Sequence, residues 1–326
     1  MSFGMDHDRQ GTTMAPPPPD SPTHRPVMVA EVLDLLHPGR GDRVLDLTIG
    51  TGGHALAIGR RLGEDGLLVG IDADRDALAV AESRFAGQLS CRVHLLHGRF
   101  SDASRLTADL GIAGFHAVLA DLGVGSHQLD DPARGFSFES DARLDMRFDT
   151  SGGPTAWDVI NRTPERELAD IFYHCGEERY SRQIAAALLR AREQQGVNTP
   201  AQLSEIVKRV YARRSRGRTW RIHPATRVMM ALRIYVNREL EELEQLLAAL
   251  PSLLAPGGRA AILTYHSLEA RMVKHTWREQ QREGTLELLA RKAVKPSEQE
   301  VETNPRARSA QLRGVRRPEE GPPCKS

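Results

Sequence analysis

Four short apolar runs alternate with stretches of helical periodicity between residues 43 and 123. Each run has the length and composition of a buried strand: RVLDLTIG, GLLVGID, CRVHLLHG and HAVLADLG. The intervening stretches HALAIGRRLGE and ADRDALAVAESRFAG are predicted helices. This alternation predicts an α/β fold in which helices cover both faces of a parallel sheet. Right-handed crossovers then bring the carboxyl ends of the strands to one edge, where such sheets bind ligands.

The strand pattern stops after Asp121 and resumes only near Arg259. Amphipathic helices are predicted in this interval: TPERELADIFYHCGE, ERYSRQIAAALLRARE, TPAQLSEIVKRVYARR and one long helix, ATRVMMALRIYVNRELEELEQLLAALPSLL. The turn Pro256-Gly257-Gly258 and the strand RAAILTYH follow. A helical block that interrupts an α/β sheet is most simply an inserted domain. The predicted division is a disordered leader at 1–23, an α/β domain at 24–130 plus 221–326, and a helical insertion at 131–220.

Composition excludes several classes of protein. The 326 residues include 44 basic and 43 acidic side chains, so the chain is not an acidic or basic tail protein. Three cysteines without metal-ligand spacing argue against a disulfide framework or a zinc cluster, and they favour a reducing compartment. The sequence contains no signal peptide and no apolar run long enough to span a membrane. A cytoplasmic location is therefore expected.

A glycine-rich loop follows the first predicted strand. Glycines at 50, 52 and 53 allow the backbone to approach a ligand closely, and His54 begins the next helix. The spacing Gly50-x-Gly52-x-x-Ala55 also fits a relaxed dinucleotide fingerprint, so an NAD-dependent oxidoreductase is an alternative. Asp46, inside the strand, weighs against a diphosphate because like charges repel. The same carboxylate suits a ligand with a cationic amino acid portion.

Two more carboxylates end predicted strands on the same edge. Asp72, in GIDAD, is placed to accept hydrogen bonds from both hydroxyls of a ribose. Asp121, in LADLGVGSHQLDD, lies where an adenine or a target base would sit. Together with Asp46 they surround one glycine loop, and this constellation predicts a nucleoside-containing cofactor.

Basic residues are segregated in the second half of the chain. Residues 208–233 carry nine lysines or arginines and no acid, and residues 306–317 carry five arginines and no acid. Such clusters favour phosphate contacts, and Trp220 and Tyr211 supply rings for stacking on bases. The candidate RNA-binding residues are Arg214, Arg216, Arg218 and Trp220. His266, at the end of a late strand, is predicted to position substrate or to support the fold, and no metal site is predicted.

The chain resembles the 16S ribosomal RNA cytosine-N4 methyltransferase family (RsmH, also called MraW) from about His24 to Arg313. The blocks that carry this resemblance are DLTIGTGGH, GIDAD, HGRF, ADLGVGSHQLDDPARGFSF, LDMRFD, GEERYSRQIA, HPATRVMMALRIYVNRELEELE, LAPGGRAAILTYHSLEARMVK and NPRARSAQLR. Three residues depart from the family pattern: Ile49 stands where an aromatic residue is common, Gly125 where a serine is usual, and Ala270 where an acid is usual. Gly125 lies closest to the expected transfer point, so a paralogue acting on another RNA is a second alternative.

The resemblance implies a Rossmann-like S-adenosylmethionine domain interrupted by a helical substrate domain. It implies methyl transfer to N4 of a decoding-centre cytidine, with 16S rRNA or the small ribosomal subunit as partner. The cofactor contacts that it implies are Gly52, Gly53, His54, Asp72, Phe100, Asp121 and Gln128. Oligomeric state stays open, because the heptad-like stretch RELEELEQLLAAL suits packing on the sheet or pairing with a partner such as a second copy.

The choice of methylated atom also follows from the cysteines. Methylation of cytosine C5 normally requires a cysteine thiolate that adds to the ring, whereas an exocyclic amine needs only alignment and an acceptor. Cys91 opens a predicted strand, Cys175 lies in the helical block and Cys324 in the tail. N4 is therefore the predicted atom, with Asp121 or a carbonyl of the loop after it as the acceptor.

Overall fold

The computed structural model describes residues 25–215, 220 and 222–319, and it contains a seven-stranded sheet. The strands are β1 Arg43–Asp46, β2 Leu67–Asp72, β3 Arg92–His97, β4 Phe115–Asp121, β5 Leu254–Thr264, β6 Glu287–Leu288 and β7 Gln311–Arg316. Their order is β3-β2-β1-β4-β5-β7-β6. Neighbouring pairs among the first five strands are parallel, while β7 pairs antiparallel with both β5 and β6. The predicted Rossmann-like α/β class is confirmed.

Thirteen α-helices connect and cover the strands within the described residues. They are α1 Val29–Leu36, α2 Gly53–Leu62, α3 Arg75–Phe85, α4 Ala103–Thr107, α5 Ser126–Asp130, α6 Ala156–Arg162, α7 Glu165–Gly176, α8 Ser181–Gln194, α9 Pro200–Ser215, α10 Thr226–Asn237, α11 Glu239–Leu253, α12 Ser267–Arg282 and α13 Glu298–Thr303. None of these described helices is both long and apolar enough to cross a membrane.

The two faces of the sheet have separate apolar cores. Helices α1, α2 and α3 pack on one face through residues such as Leu33, Ile58 and Phe85. Helices α4, α11 and α12 pack on the other, where Leu247 and Trp277 are buried. Both layers are needed because parallel strands are apolar on both sides. The apolar side of the heptad-like stretch in α11 faces this core and is therefore not free to pair with a second copy.

A third core lies within the helical block between β4 and β5. Its buried residues come from Phe136 through Val236, and they include side chains of α6, α7, α8, α9 and α10. Helix α10 packs against α7, so residues 226–236 share the helical core rather than a core of the sheet. The predicted boundary at residue 220 lies inside this packed unit. We therefore propose that the inserted domain extends to the end of α10.

The long helix predicted after residue 225 is wrong, because the structure divides it into α10 and α11. Arg238 adopts φ 56°, ψ 36° and separates the two helices. The buried Asn237 amide holds this break in place: it donates to Met146 O at 2.8 Å and accepts from Phe148 N at 2.7 Å. These hydrogen bonds tie the end of α10 to a segment about ninety residues earlier in the chain and redirect α11 towards the sheet.

Candidate active site

A cavity of about 480 Å³ opens at the carboxyl edge of the sheet. The ends of β1, β2 and β4 lie side by side there, because Asp46 is in register with Gly70 and with Leu119. Seven predicted site residues line the cavity: Gly50, Gly53, His54, Asp72, Phe100, Asp121 and Gln128. The lining also includes residues of the segment 25–27 and of the junction between α10 and α11. The volume lies within the range of about 300–1,000 Å³ typical of small-molecule sites.

The glycine loop joins β1 to the amino end of α2. Gly52 caps α2 with φ 83°, and a Cβ atom there would lie 2.5 Å from the Phe85 ring. Gly52 is thus required by its backbone conformation and by packing against α3, and it does not line the cavity. The N–H groups in the first turn of a helix have no intrahelical partners, and in α2 no side chain caps them. Such a helix end favours an anionic ligand group.

Asp72 fixes the loop from the end of β2. Its Oδ2 accepts a hydrogen bond from Gly50 N at 2.7 Å, and its Oδ1 accepts one from Asp74 N at 2.9 Å. Burial raises the pKa of this carboxyl, while the two backbone hydrogen bonds favour its charged form. A carboxylate has about four lone-pair positions, so two remain for hydroxyl donors.

Asp121 is held in a fixed orientation at the end of β4. Its backbone N–H donates to Thr48 Oγ1 at 2.6 Å, and its Oδ1 accepts from Gly123 N at 3.1 Å. Its Oδ2 lies 3.7 Å from His54 Nδ1. The other ring nitrogen of His54 is 2.8 Å from Val27 O, to which it donates. Tyr265 lines the cavity as well. Burial, together with the nearby Asp121 carboxylate, raises the pKa of Tyr265 well above its usual value.

Asp46 occupies a different position from the one predicted. It is 1% exposed and lies behind the loop, outside the cavity lining, with Oδ1 accepting from Thr48 N at 3.2 Å. Burial raises its pKa to about 7, although the positive potential of His54 opposes this rise. The Asp46 carboxyl therefore lies beneath the cavity, and its direct contact with a ligand stays a prediction.

Asp74 organises the wall beside Asp72 and was not identified from the sequence. Its Oδ2 accepts from Gln128 Nε2 at 2.9 Å and lies 2.9 Å from Arg134 Nη1 and 3.3 Å from His127 Nε2. Burial opposes ionisation, but these partners outweigh it and hold the pKa of Asp74 well below its usual range. Both ends of the Gln128 amide are engaged, because its Oε1 also accepts from Gly125 N.

The departure at Gly125 has a structural explanation. A Cβ atom on Gly125 would lie 2.5 Å from Cε1 of His127, so the imidazole occupies the space that a serine side chain would need. The same imidazole contacts Asp74. A serine would therefore have to displace the His127 ring.

A second charged wall comes from the α10–α11 junction, and the sequence patterns gave no sign of it. Arg233 donates to both carboxylate oxygens of Glu239 at 2.8 Å. Arg99 donates to Glu242 at 3.2 Å, so the junction is tied to the loop that carries Phe100. All four of these charged residues line the cavity.

The two predicted substrate residues that the structure describes, Trp220 and His266, do not line the cavity. His266 caps α12 and its Nε2 lies 2.9 Å from Glu269 Oε1, but His266 does not line the cavity. Trp220 is 41% exposed and makes an edge-to-face contact with Tyr211. Arg216, Arg218 and the side chain of Arg214 lie outside the described residues. Their predicted roles stay predictions.

The comparison with known proteins decides the family. The sequence pattern of the MraW methylase family matches residues 21–318. The chain belongs to the MraW methylase family. A relative from Syntrophotalea carbinolica, named ribosomal RNA small subunit methyltransferase H, is 47% identical over 90% of this chain and 98% of its own length. A relative of the same name from Koribacter versatilis is 44% identical over 90% of this chain and 94% of its own.

Membership of this family makes the protein an S-adenosylmethionine-dependent methyltransferase, and the oxidoreductase alternative is set aside. The cavity fits that cofactor in its donor set. The uncapped end of α2 suits a carboxylate, Asp72 has free acceptor positions for ribose hydroxyls, and the Phe100 ring offers a face for an adenine.

Replacement of Asp72 by asparagine is expected to weaken S-adenosylmethionine binding about 10- to 100-fold. The amide keeps the shape of the side chain but loses the charge and one of the two oxygens that accept from Gly50 N and Asp74 N, and hydrogen bonds to charged groups contribute about 1.5–3 kcal/mol. Isothermal titration calorimetry measures the affinity. Asp76→Asn, on the exposed first turn of α3, is the matched control and should bind as the unmodified protein does. Equal affinity in both variants would remove Asp72 from the cofactor site.

Proposed function

We propose that this protein transfers a methyl group from S-adenosylmethionine to N4 of a cytidine in the decoding centre of 16S rRNA. The names of its relatives support ribosomal RNA of the small subunit as the substrate class. The observation that carries the choice of an amine is Asp121, an acceptor-only carboxylate that lines the cavity and is oriented by Gly123 and His54. As the new N–C bond forms, positive charge develops on the amine nitrogen. An acceptor that holds one of its N–H groups stabilises this charge.

The proposed cofactor site is divided among three elements. The first turn of α2 would receive the carboxylate of the methionine portion, Asp72 the ribose hydroxyls, and Phe100 the adenine. Bound there, the cofactor supplies an electrophilic methyl group on a positively charged sulfur. The carboxylates of Asp72 and Asp121 both line the cavity, and their negative charge favours a cationic ligand.

The chain's own part in the reaction is alignment and proton acceptance. The amine of cytosine is a weak nucleophile because its lone pair is delocalised into the ring. The Asp121 carboxylate would accept a hydrogen bond from this amine, align it and stabilise the positive charge that develops on nitrogen. A base paired through N4 must first be extruded into the cavity, which costs a few kcal/mol. Residues 122–125 also line the cavity, and a carbonyl group of this loop is the alternative acceptor.

The inserted helical domain is the proposed RNA-recognition part. Trp220, which is exposed between α9 and α10, would stack on an unpaired base, and Arg214, Arg216 and Arg218 would contact phosphates. Helix α10 carries Arg233 and Asn237 into the cavity wall while its apolar face packs in the helical core. RNA bound to the inserted domain would thus contact the same domain that supplies Arg233 and Asn237 to the wall of the active site.

The nature of the product distinguishes N4 from C5 methylation. The described cysteines suit no covalent mechanism: Cys91 and Cys175 both lie outside the cavity lining, and burial raises the pKa of Cys175 to about 11. A variant with all three cysteines changed to serine should keep methyl transfer within about three-fold if it folds. Chromatography of digested rRNA against N4- and C5-methylcytidine standards identifies the product. A C5 product that disappears in this variant would refute the proposal.

A further inference from the structure

Helix α12 presents a basic surface on the side away from the sheet. Arg271, Lys274, Arg278 and Arg282 follow one another at spacings of three, four and four residues, and Arg271, Arg278 and Arg282 are exposed, although Arg271 forms an ion pair with Glu177 at 2.7 Å. At 3.6 residues per turn these spacings place all four on one face. The opposite face carries Val273 and Trp277, which are fully buried against the sheet.

Neighbouring elements extend this surface around the end of the helix. A depression of about 580 Å³ is lined by Arg278, Arg282 and Arg291, together with Gln281 and Leu288. Arg313 approaches from β7 below. Side chains alternate along a strand, and Val315 lies in the core beneath α12, so Arg313 faces the same side. We call Arg278, Arg282, Arg291 and Arg313 the arginine cluster.

The arginine cluster lacks compensating charge. No carboxylate among the described residues forms an ion pair with any of its four members. The Nε atom of Arg313 is buried and has no hydrogen-bond partner. Burial and the positive charge of Arg278 lower the pKa of Arg313. Arg278, Arg282 and Arg291 surround one depression without a carboxylate partner, and Arg313 lies close enough to Arg278 to be repelled by it, so a bound anion would stabilise the arrangement.

The position of the arginine cluster favours a chain of phosphates over a single small anion as its ligand. Helix α12 begins two residues after Tyr265, which lies in the cavity wall, and the sixteen residues of the helix extend over about 24 Å. Lys274, Arg278 and Arg282 are spaced about 6 Å apart along the axis. A row of cations that leads out of an active site suits a chain of phosphates better than one small anion, and guanidinium forks match phosphate oxygens.

We propose that the basic face of α12 and the arginine cluster bind the phosphodiester backbone of the RNA substrate as it leaves the active site. This inference rests on the proposed function, because it takes the substrate to be RNA. The surface lies on the catalytic domain, apart from the basic region at 208–233. Two separate cationic surfaces would then hold the RNA on both sides of the target base.

The test compares two charge-reversal pairs in the full chain. Arg278→Glu with Arg282→Glu alters the cluster. Arg61→Glu with Arg92→Glu changes the net charge equally, on an exposed turn of α2 and on the opposite edge strand. Binding of a fluorescein-labelled 16S rRNA fragment is followed by anisotropy between 50 and 200 mM KCl. We expect the cluster pair to weaken binding at least about 10-fold and to lower the magnitude of the salt slope by about 1.5–2. S-adenosylmethionine affinity, measured calorimetrically, should not change.

Each remaining outcome overturns the inference in a recognisable way. If both pairs weaken RNA binding equally, the effect is one of net charge alone. If the cluster pair binds RNA normally but loses a thermal stabilisation by inorganic phosphate, the depression is a small-anion site. If it instead loses binding to polyglutamate, the partner is an acidic protein segment. If the cluster pair matches the unmodified protein in every assay while methyl transfer to rRNA persists, the inference fails and the proposed function stands. If the unmodified protein neither binds nor methylates rRNA, both fail.

Discussion

Replacement of Asp121 by asparagine is expected to lower the single-turnover rate of methyl transfer by about 100-fold or more. The amide keeps an oxygen for Gly123 N, but it removes the charge that stabilises the developing ammonium and it presents N–H groups towards the amine. Loss of one such group costs about 10²–10³ in rate. The rate is measured with radiolabelled cofactor and saturating RNA.

Cofactor binding separates the two roles that Asp121 can have. An acceptor for the target amine leaves S-adenosylmethionine affinity within a few-fold, whereas a cofactor contact lowers affinity and rate together. Asp131→Asn is the matched control: it is exposed in the following loop, and asparagine caps a turn as well as aspartate does. An unchanged rate in Asp121→Asn would assign the acceptor role to a loop carbonyl.

Replacement of Asp46 by asparagine is expected to stabilise the protein at alkaline pH. The pKa of this carboxyl is about 7 in the folded state against 3.8 in the reference state, so the folded protein binds more protons between these values. The contribution of Asp46 to the free energy of unfolding therefore decreases as pH rises through this window and is constant above it. At about 1.4 kcal/mol per pH unit, the two units from pH 5 to pH 7 correspond to about 3 kcal/mol.

Urea unfolding at pH 5 and pH 8 tests this linkage. The difference between Asp46→Asn and the unmodified protein should grow by about 3 kcal/mol from the lower to the higher pH, in favour of the variant. Asp76→Asn, which changes an exposed carboxylate, should show no such growth. Parallel stability curves for Asp46→Asn and the unmodified protein would mean that the Asp46 carboxyl does not titrate in this window.

Local patterns in the sequence predicted the parts of the fold that depend on nearby residues. The first four strands, α2, α3 and the three helices α7, α8 and α9 all follow from periodicity and agree with the structure. The placement of Asp72 and Asp121 on one edge followed from the parallel direction of the predicted strands. Strand β7 was not predicted, because its alternation of arginines with Leu312 and Val315 resembles a basic tail.

Features that depend on distant contacts were not predictable. The break at Arg238 depends on hydrogen bonds from Asn237 to residues near 146–148, and the helical pattern continues across it without a visible interruption. Arg233 and Glu239 lie on either side of this break, which places both of them in the cavity lining. At Gly52 the prediction emphasised a ligand, whereas the structure shows the Phe85 ring at the position where a side chain would be.

The pairing of β4 with β5 has a consequence for synthesis of the chain. These strands are neighbours in the sheet, yet the whole helical block is translated between Asp121 and Leu254. At about 5–20 residues per second, the β4 edge waits on the order of ten seconds for its partner. During that time its backbone N–H and C=O groups are open to pairing with other chains. Because the helical block has its own core, it can fold during this interval, before β5 completes the sheet.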